Sequence, residues 1–180
     1  MIQPEDRLAE DRLIEALSLT PHPEGGHYRQ TYRAASEIPA AALPQEYGGA
    51  RAYSTAIYFL LTGEDFSAFH RIRSDEVWHF YSGSSLEIQV IHPGGRYERI
   101  RLGTDVAAGE VFQAIVPGGC WFGACLADPR PARAGRRVYA LVGCTVAPGF
   151  DFDDFELANR QRLSEMYPMH RSIIQRLTRE

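Results

Sequence analysis

The sequence predicts an all-β sandwich or barrel, with one helix before it and helices after it. Three observations predict this. Between Ala52 and Gly149 the chain falls into seven short runs rich in β-branched and aromatic residues, closed by glycine, proline or serine. Several of these runs, "STAIYFLL" above all, are apolar on both faces, so a second sheet or a partner subunit must cover them. Helical spacing returns only at the two ends.

Taken in order, Leu8, Leu13, Ile14 and Leu17 recur at helical spacing among charged residues, and Pro21 and Pro23 stop that helix. Gly25 and Gly26 permit a tight turn into "HYRQTYR". "RAASEIPAAALPQEYGGAR" lacks strand texture and reads as a loop with a short helix. The strands follow: "AYSTAIYFLLTG", "EVWHFYSG", "SLEIQVIHPGG", "RYERIRLGT", "GEVFQAIVPGG", "CWFGACLA" and "RRVYALVGCTVAPG". "HPGG" is a hairpin loop, because Pro93 presets a turn and Gly94 or Gly95 can take positive φ. "DPRPARAGRR" reads as an exposed charged loop. In "APGFDFDDFEL", Asp151, Asp153 and Asp154 read as caps of the following helix, since EF-hand spacing is absent. Phe155, Leu157, Leu163 and Met166, then Ile173, Ile174 and Leu177, mark C-terminal helices split by Pro168.

With 180 residues and 44% hydrophobic content, the chain (1–180) is expected to form a single domain with one sizeable core. A net charge of -4, with scattered arginines and no lysine, argues against nucleic-acid binding. No apolar run is long enough to span a bilayer, and the charged N-terminus does not resemble an export signal, so a cytoplasmic protein is expected. Cys120, Cys125 and Cys144 lack the paired spacing of zinc or redox motifs and are expected to be reduced core residues.

"AFHRIRSDEVWHFYSG" concentrates two histidines, an acidic pair and a tryptophan between Ala68 and Gly83. His70, Glu76 and Gly83 stand in the register of a first cupin motif, with Ile72 at its second histidine. In "GEVFQAIVPGGCWFG", Gly109, Pro117 and Gly119 follow the second motif with two extra spacer residues, and Phe122 replaces its histidine. Together with "HPEGGHYRQTYR", "STAIYFLL" and "GCTVAPGFDFDDFEL", these segments, spanning Leu13 to Leu177, resemble the small cupin family cupin_5, or DUF985. That resemblance implies a double-stranded β-helix, the cupin jelly roll, usually a homodimer, with structural similarity to sugar-nucleotide epimerases of the RmlC type. It also implies that "HYRQTYR" can cross to a partner sheet, placing His27, Tyr28 and Arg29 near an interface or pocket mouth.

Two chemistries compete for the expected pocket, whose lining is read as His70, Glu76, Trp78, Gln89, Gln113 and Phe122. One is a metal-free acid-base site on a small polar metabolite such as an activated sugar, with His70 or His79 as base, Glu76 tuning it, and Tyr53, Tyr58, Tyr81 or Tyr139 as acid. Arg29, Arg51 and Arg71 are its candidate diphosphate ligands. The other is a divalent transition metal held by His70, Glu76 and His79, as in a dioxygenase or isomerase. Strand alternation opposes this set, because it puts His79 on the face opposite Glu76 unless a bulge intervenes. Ile72 and Phe122 leave two of four motif positions apolar, so no cofactor is the expected state. A noncatalytic binding or sensing module fits the same residues, and Trp78, Phe80, Trp121 and Phe122 also read as ordinary core.

Overall fold

A computed structural model describes residues 9–129 and 138–179. Its strands in chain order are β1 (Thr20–Pro21), β2 (His27–Arg33), β3 (Glu37–Ile38), β4 (Arg51–Ala52), β5 (Thr55–Thr62), β6 (Phe66–Arg71) and β7 (Asp75–Gly83). They continue with β8 (Leu86–Ile91), β9 (Tyr97–Leu102), β10 (Gln113–Val116), β11 (Trp121–Leu126), β12 (Tyr139–Ala147) and β13 (Glu156–Leu157). The helices are α1 (Ala9–Ala16), α2 (Arg160–Met166) and α3 (Arg171–Arg176).

Two antiparallel sheets face each other, one ordered β1-β2-β5-β12-β7-β10 and the other β13-β6-β11-β8-β9. The chain alternates between them, which makes the jelly roll. Period-two alternation sends Phe59 and Leu61 of β5, Trp78 of β7, and Val142 and Cys144 of β12 inward from the first sheet. Leu86, Ile88 and Val90 of β8, with Phe122, Ala124 and Leu126 of β11, meet them from the second.

The outer faces are apolar for a second reason: helices lie on them. Leu13, Ile14 and Leu17 pack over Leu60 and Leu141 of the first sheet. Leu163, Ile174 and Leu177 cover Phe69, Ile91 and Trp121 of the second. Much of the covering assigned in the sequence to another sheet or subunit is therefore provided by the chain's own ends. At each fully buried leucine the removal of side chain from water contributes about 1.5–3 kcal/mol. Among the described residues no helix is long and apolar enough to cross a membrane.

The "HPGG" hairpin joins β8 to β9, with Gly94 and Gly95 at φ 91° and 90°. The stretch expected to hold a short helix instead forms two 3-10 turns, Ala40–Ala42 and Gln45–Tyr47, and the β3–β4 ribbon. Pro39 and Pro44 start those turns, and neither has length to become a helix. The aspartate caps also divide differently. Asp151 caps a 3-10 turn over Phe152–Asp154, Asn159 caps α2, and Asp154 is buried against Arg51. Pro168 does separate α2 from α3. Leu8 and the charged loop from Arg130 to Arg137 lie outside the described residues.

Candidate functional site

Between the sheets, where β5 and β7 begin and β12 ends, lies a cavity of about 230 Å³. Two imidazoles and two carboxyls line it, brought from three places in the chain. His22 and Glu24 come from the turn between β1 and β2, His70 from β6, and Glu76 from β7. The turn can bend back over the sheet edge because Gly25 and Gly26 hold φ of 114° and 69°. A Cβ at Gly26 would come within 2.7 Å of the Leu60 carbonyl, so the close approach also needs glycine.

Their hydrogen bonds fix where protons reside. The Nδ1 of His70 lies 2.8 Å from the Ala68 carbonyl, which can only accept, so Nδ1 donates. Its Nε2 lies 3.2 Å from Oε2 of Glu24. That is a close charge contact, and burial, which lowers the imidazole and raises the carboxyl, favours the neutral form of each. Ser67 donates its hydroxyl to the other Glu24 oxygen at 2.9 Å. The backbone N–H of Glu24 donates to Nδ1 of His22 at 3.3 Å, which leaves the His22 proton on Nε2. No described residue accepts from that Nε2–H, although the side chain is 7% exposed.

Burial dominates the titration of all four. It pushes the carboxyls of Glu24 and Glu76 up to about 7, since ionising either inside the barrel forfeits hydration. Neighbouring imidazoles only partly oppose this: His22 for Glu24 and His70 for Glu76. The same burial holds His22 and His70 below the usual imidazole value. Cys144 of β12 donates its thiol to Glu76 and is itself held well above the ordinary thiol range by burial and that carboxyl.

Aromatic rings form the remaining wall. Tyr28 meets His22 edge-on, centroids 4.5 Å apart, and Phe150, Phe152 and Phe155 pack near perpendicular to one another over the mouth.

Thus the structure brings His70, Ile72 and Glu76 to one cavity and leaves other sequence candidates elsewhere. Trp78 shares the inward face with Glu76 but is sealed between Phe59 and Phe122 in the core. Phe122 packs its ring 4.1 Å from that of His70, beneath the cavity wall. Gln89 faces away from Ile88 and Val90, bonding Glu87 and Tyr97. His79 lies on the outer face of β7, bonded to Thr145 at 3.1 Å and to Gln113 at 3.0 Å. Arg29 sits over the Tyr58 ring, and Tyr53 is exposed. Arg51 is locked to Asp154 and Arg71 to Glu156. Tyr53, Tyr58, Tyr81 and Tyr139 all lie away from the cavity, and Tyr28 is the tyrosine that lines it.

The donor set does not fit a cupin-type metal centre. Ile72 and Phe122 are buried apolar groups at two of the four ligand positions, and His79 points out of the barrel. Among the described residues no three His, Cys, Asp or Glu side chains are grouped to hold an ion.

His22, Glu24, Cys144 and the three phenylalanines were not read from sequence as site residues. The one signal for the first two was a histidine and a glutamate flanking Pro23 immediately before two glycines.

Residues 11–158 match the family model described as Cupin_5, Cupin superfamily (DUF985). The crystal structure of protein SO0799 from Shewanella oneidensis is 40% identical, covers 96% of this chain and 98% of that one, and superposes with a TM-score of 0.82. The uncharacterized protein YML079W of Saccharomyces cerevisiae is 29% identical over 84% of this chain and 76% of its own length. Oxalate decarboxylase from Bacillus subtilis is similar in fold alone, at 13% identity and a TM-score of 0.51 over 87% of this chain and 36% of that one.

Proposed function

The chain belongs to the Cupin_5 (DUF985) family of the cupin superfamily, and from that premise we propose that it is a single-domain protein whose barrel cavity binds a small polar metabolite and moves a proton on it without a metal ion. The observation that carries this reading is the convergence of two buried carboxyls and two buried imidazoles on one cavity. A core has no use for four such groups, and burying them is costly unless they are paired or employed.

Each group has a role its hydrogen bonds allow. Glu76, whose only described hydrogen-bond donor is the Cys144 thiol, is the base, poised near neutral pH where proton transfer in both directions is efficient. His22 offers its Nε2–H to a ligand oxygen. The His70–Glu24 contact is a positioning element, setting the imidazole beside the cavity. The size supports a small ligand: pockets that enclose drug-sized molecules run about 300–1,000 Å³, against about 230 Å³ here. No described arginine lines the cavity, which disfavours an activated sugar carrying a diphosphate.

The test is solvent-deuterium exchange into small metabolites selected by thermal shift. Wild-type protein is expected to catalyse exchange into a ligand that it binds, and Glu76→Gln and His70→Asn, each saturated with that ligand, to exchange it at least tenfold more slowly. Binding without exchange in the wild type would replace this reading with a noncatalytic binding module.

Assembly belongs to the same reading. On the outer face of the first sheet, beyond the reach of α1, Tyr81 and Ile115 are 51% and 61% exposed, flanking His79 and Gln113. We propose that a second copy covers this patch, and light scattering at micromolar concentration is expected to give twice the chain mass. Ile115→Asp is expected to shift the protein toward monomer, and a wild-type monomer would contradict the proposal.

A further inference from the structure

We infer that the cavity takes an organic monocation, a small metabolite with an ammonium or guanidinium head seated between the carboxyls of Glu24 and Glu76 and the phenylalanine corner. The inference rests on the proposed binding role of this cavity and specifies its ligand class.

Charge supplies the first argument. The chain contains no lysine, and no described arginine lines the cavity. Arg33, which reaches the Phe150 carbonyl from outside, is paired with Glu37. Arg51 and Arg73 converge on Asp154, and Arg179 bonds Asp65 and the Glu24 carbonyl. The site therefore holds two acidic groups and two imidazoles that burial keeps neutral, and its charge near neutral pH runs from zero to negative. An anionic ligand would meet no fixed positive charge there. A cation would supply the counter-charge that the two carboxyls lack.

Shape supplies the second. Phe150 and Phe152 stand 5.0 Å apart at 82°, Phe152 and Phe155 6.1 Å at 73°, and Phe150 and Phe155 6.3 Å at 68°. Three rings in mutually steep orientation form the corner of an aromatic box, and ring faces attract cations through their quadrupoles. Phe152 is 52% exposed, so its ring is open to a molecule entering from solvent. Next to it, His22 holds an Nε2–H with no partner among the described residues, suited to a ligand hydroxyl or carbonyl beside the cationic head.

Binding would be linked to protons. The groups facing Glu76 are His70 from β6, Glu24 from the β1–β2 turn and Cys144 from β12; those facing Glu24 are His22, His70, Ser67 and Glu76 itself. A cation draws both carboxyls to the ionised form, so it expels protons in the range where they are still held, below about 7. Affinity then rises about tenfold per pH unit for each proton released and levels off above that range.

The probes are n-butylammonium, n-butylguanidinium, 1-pentanol and butyrate, compared by thermal shift and calorimetry on the full chain at constant ionic strength from pH 6 to pH 8. Both cations are expected to bind, more tightly at pH 8 than at pH 6, with proton release detected in buffers of different ionisation enthalpy. The alcohol is expected to bind weakly without pH dependence, and butyrate not at all. Glu76→Gln is expected to weaken cation binding at least tenfold at pH 8 and flatten the pH profile, leaving the alcohol unchanged. Phe152→Leu, at a half-exposed residue whose loss does not open the core, is expected to weaken the cations about fivefold while sparing the alcohol. Butyrate binding as tightly as the cations, or cation affinity indifferent to pH, overturns the inference. Cation binding without deuterium exchange would sink the catalytic reading and keep this one; exchange into an anionic or neutral ligand would do the reverse.

Discussion

Replacing Asp154 by alanine is expected to destabilise the protein by about 3–5 kcal/mol, the cost of leaving a buried ion unpaired. Arg51 gives Asp154 a two-pronged contact, Nε to Oδ2 at 2.7 Å and Nη2 to Oδ1 at 2.8 Å, with both side chains under 5% exposed. Two further donors go to the carbonyls of Ala50 and Tyr47, so four of the five guanidinium N–H groups are bonded while Asp154 stands beside it. The pair ties β4 to the segment that carries Phe150, Phe152 and Phe155, and so it holds one wall of the cavity. Arg73 also reaches Asp154, at 3.0 Å, but its side chain is 41% exposed. Arg73→Ala is therefore expected to cost under about 1 kcal/mol. Urea midpoints of the two variants measure the contrast. Equal losses would mean that the Arg51 contact is no more valuable than a surface pair.

The all-β class was legible because its signals are local, and the jelly roll followed from the family resemblance. Turn residues punctuate strands, and alternation assigns faces within each of them, so most strands and the C-terminal break at Pro168 could be read directly, although β6, which carries His70, is not among the runs read as strands. Pairing between sheets was legible only through the motif around His70 and Glu76. Errors arose where one local rule has two spatial outcomes. Gln89 is buried, yet both faces of β8 are covered, one by the facing sheet and the other by the C-terminal helices, so burial does not say which way it points. His79 was drawn into a metal set by nearness in sequence. The β7–β12 register shift that could have turned it inward falls between Leu141 and Val142, beyond His79, which keeps its outward place opposite Gly143. His22 and Glu24 were invisible because they lie in a turn, where no periodicity assigns a face. Only the fold back over β5 and β6 brings them beside His70.

Glu76→Gln is expected to make the protein more stable at pH 8, by about 2–3 kcal/mol, and to leave it within about 1 kcal/mol of wild type at pH 5. The sign follows from the carboxyl's own equilibrium. In the unfolded chain Glu76 titrates near its ordinary 4.5, whereas in the barrel burial raises it to about 7. Between those values folding takes up a proton, so the contribution of Glu76 to stability is full below about 4.5 and is lost as the pH rises through about 7. Glutamine has no charge to bury and can still accept the Cys144 thiol, so its stability lacks this decline. His22 and His70 act in the opposite direction, costing stability as the pH falls below the ordinary imidazole value. The effect of His70 differs between the two proteins, because Glu76 draws its imidazole upward, so the contrast is read above the imidazole range, at pH 7 and 8. Urea midpoints at pH 5, 6, 7 and 8 should therefore show two curves that meet at the acid end and part at the alkaline end. A variant less stable than wild type at pH 8 would mean that Glu76 is held by favourable contacts as an ion, and its role as a poised base would fall with that result. If the curves part as expected, the protein keeps at this position a group that lowers its stability at neutral pH. Such a group persists where binding or proton transfer needs it.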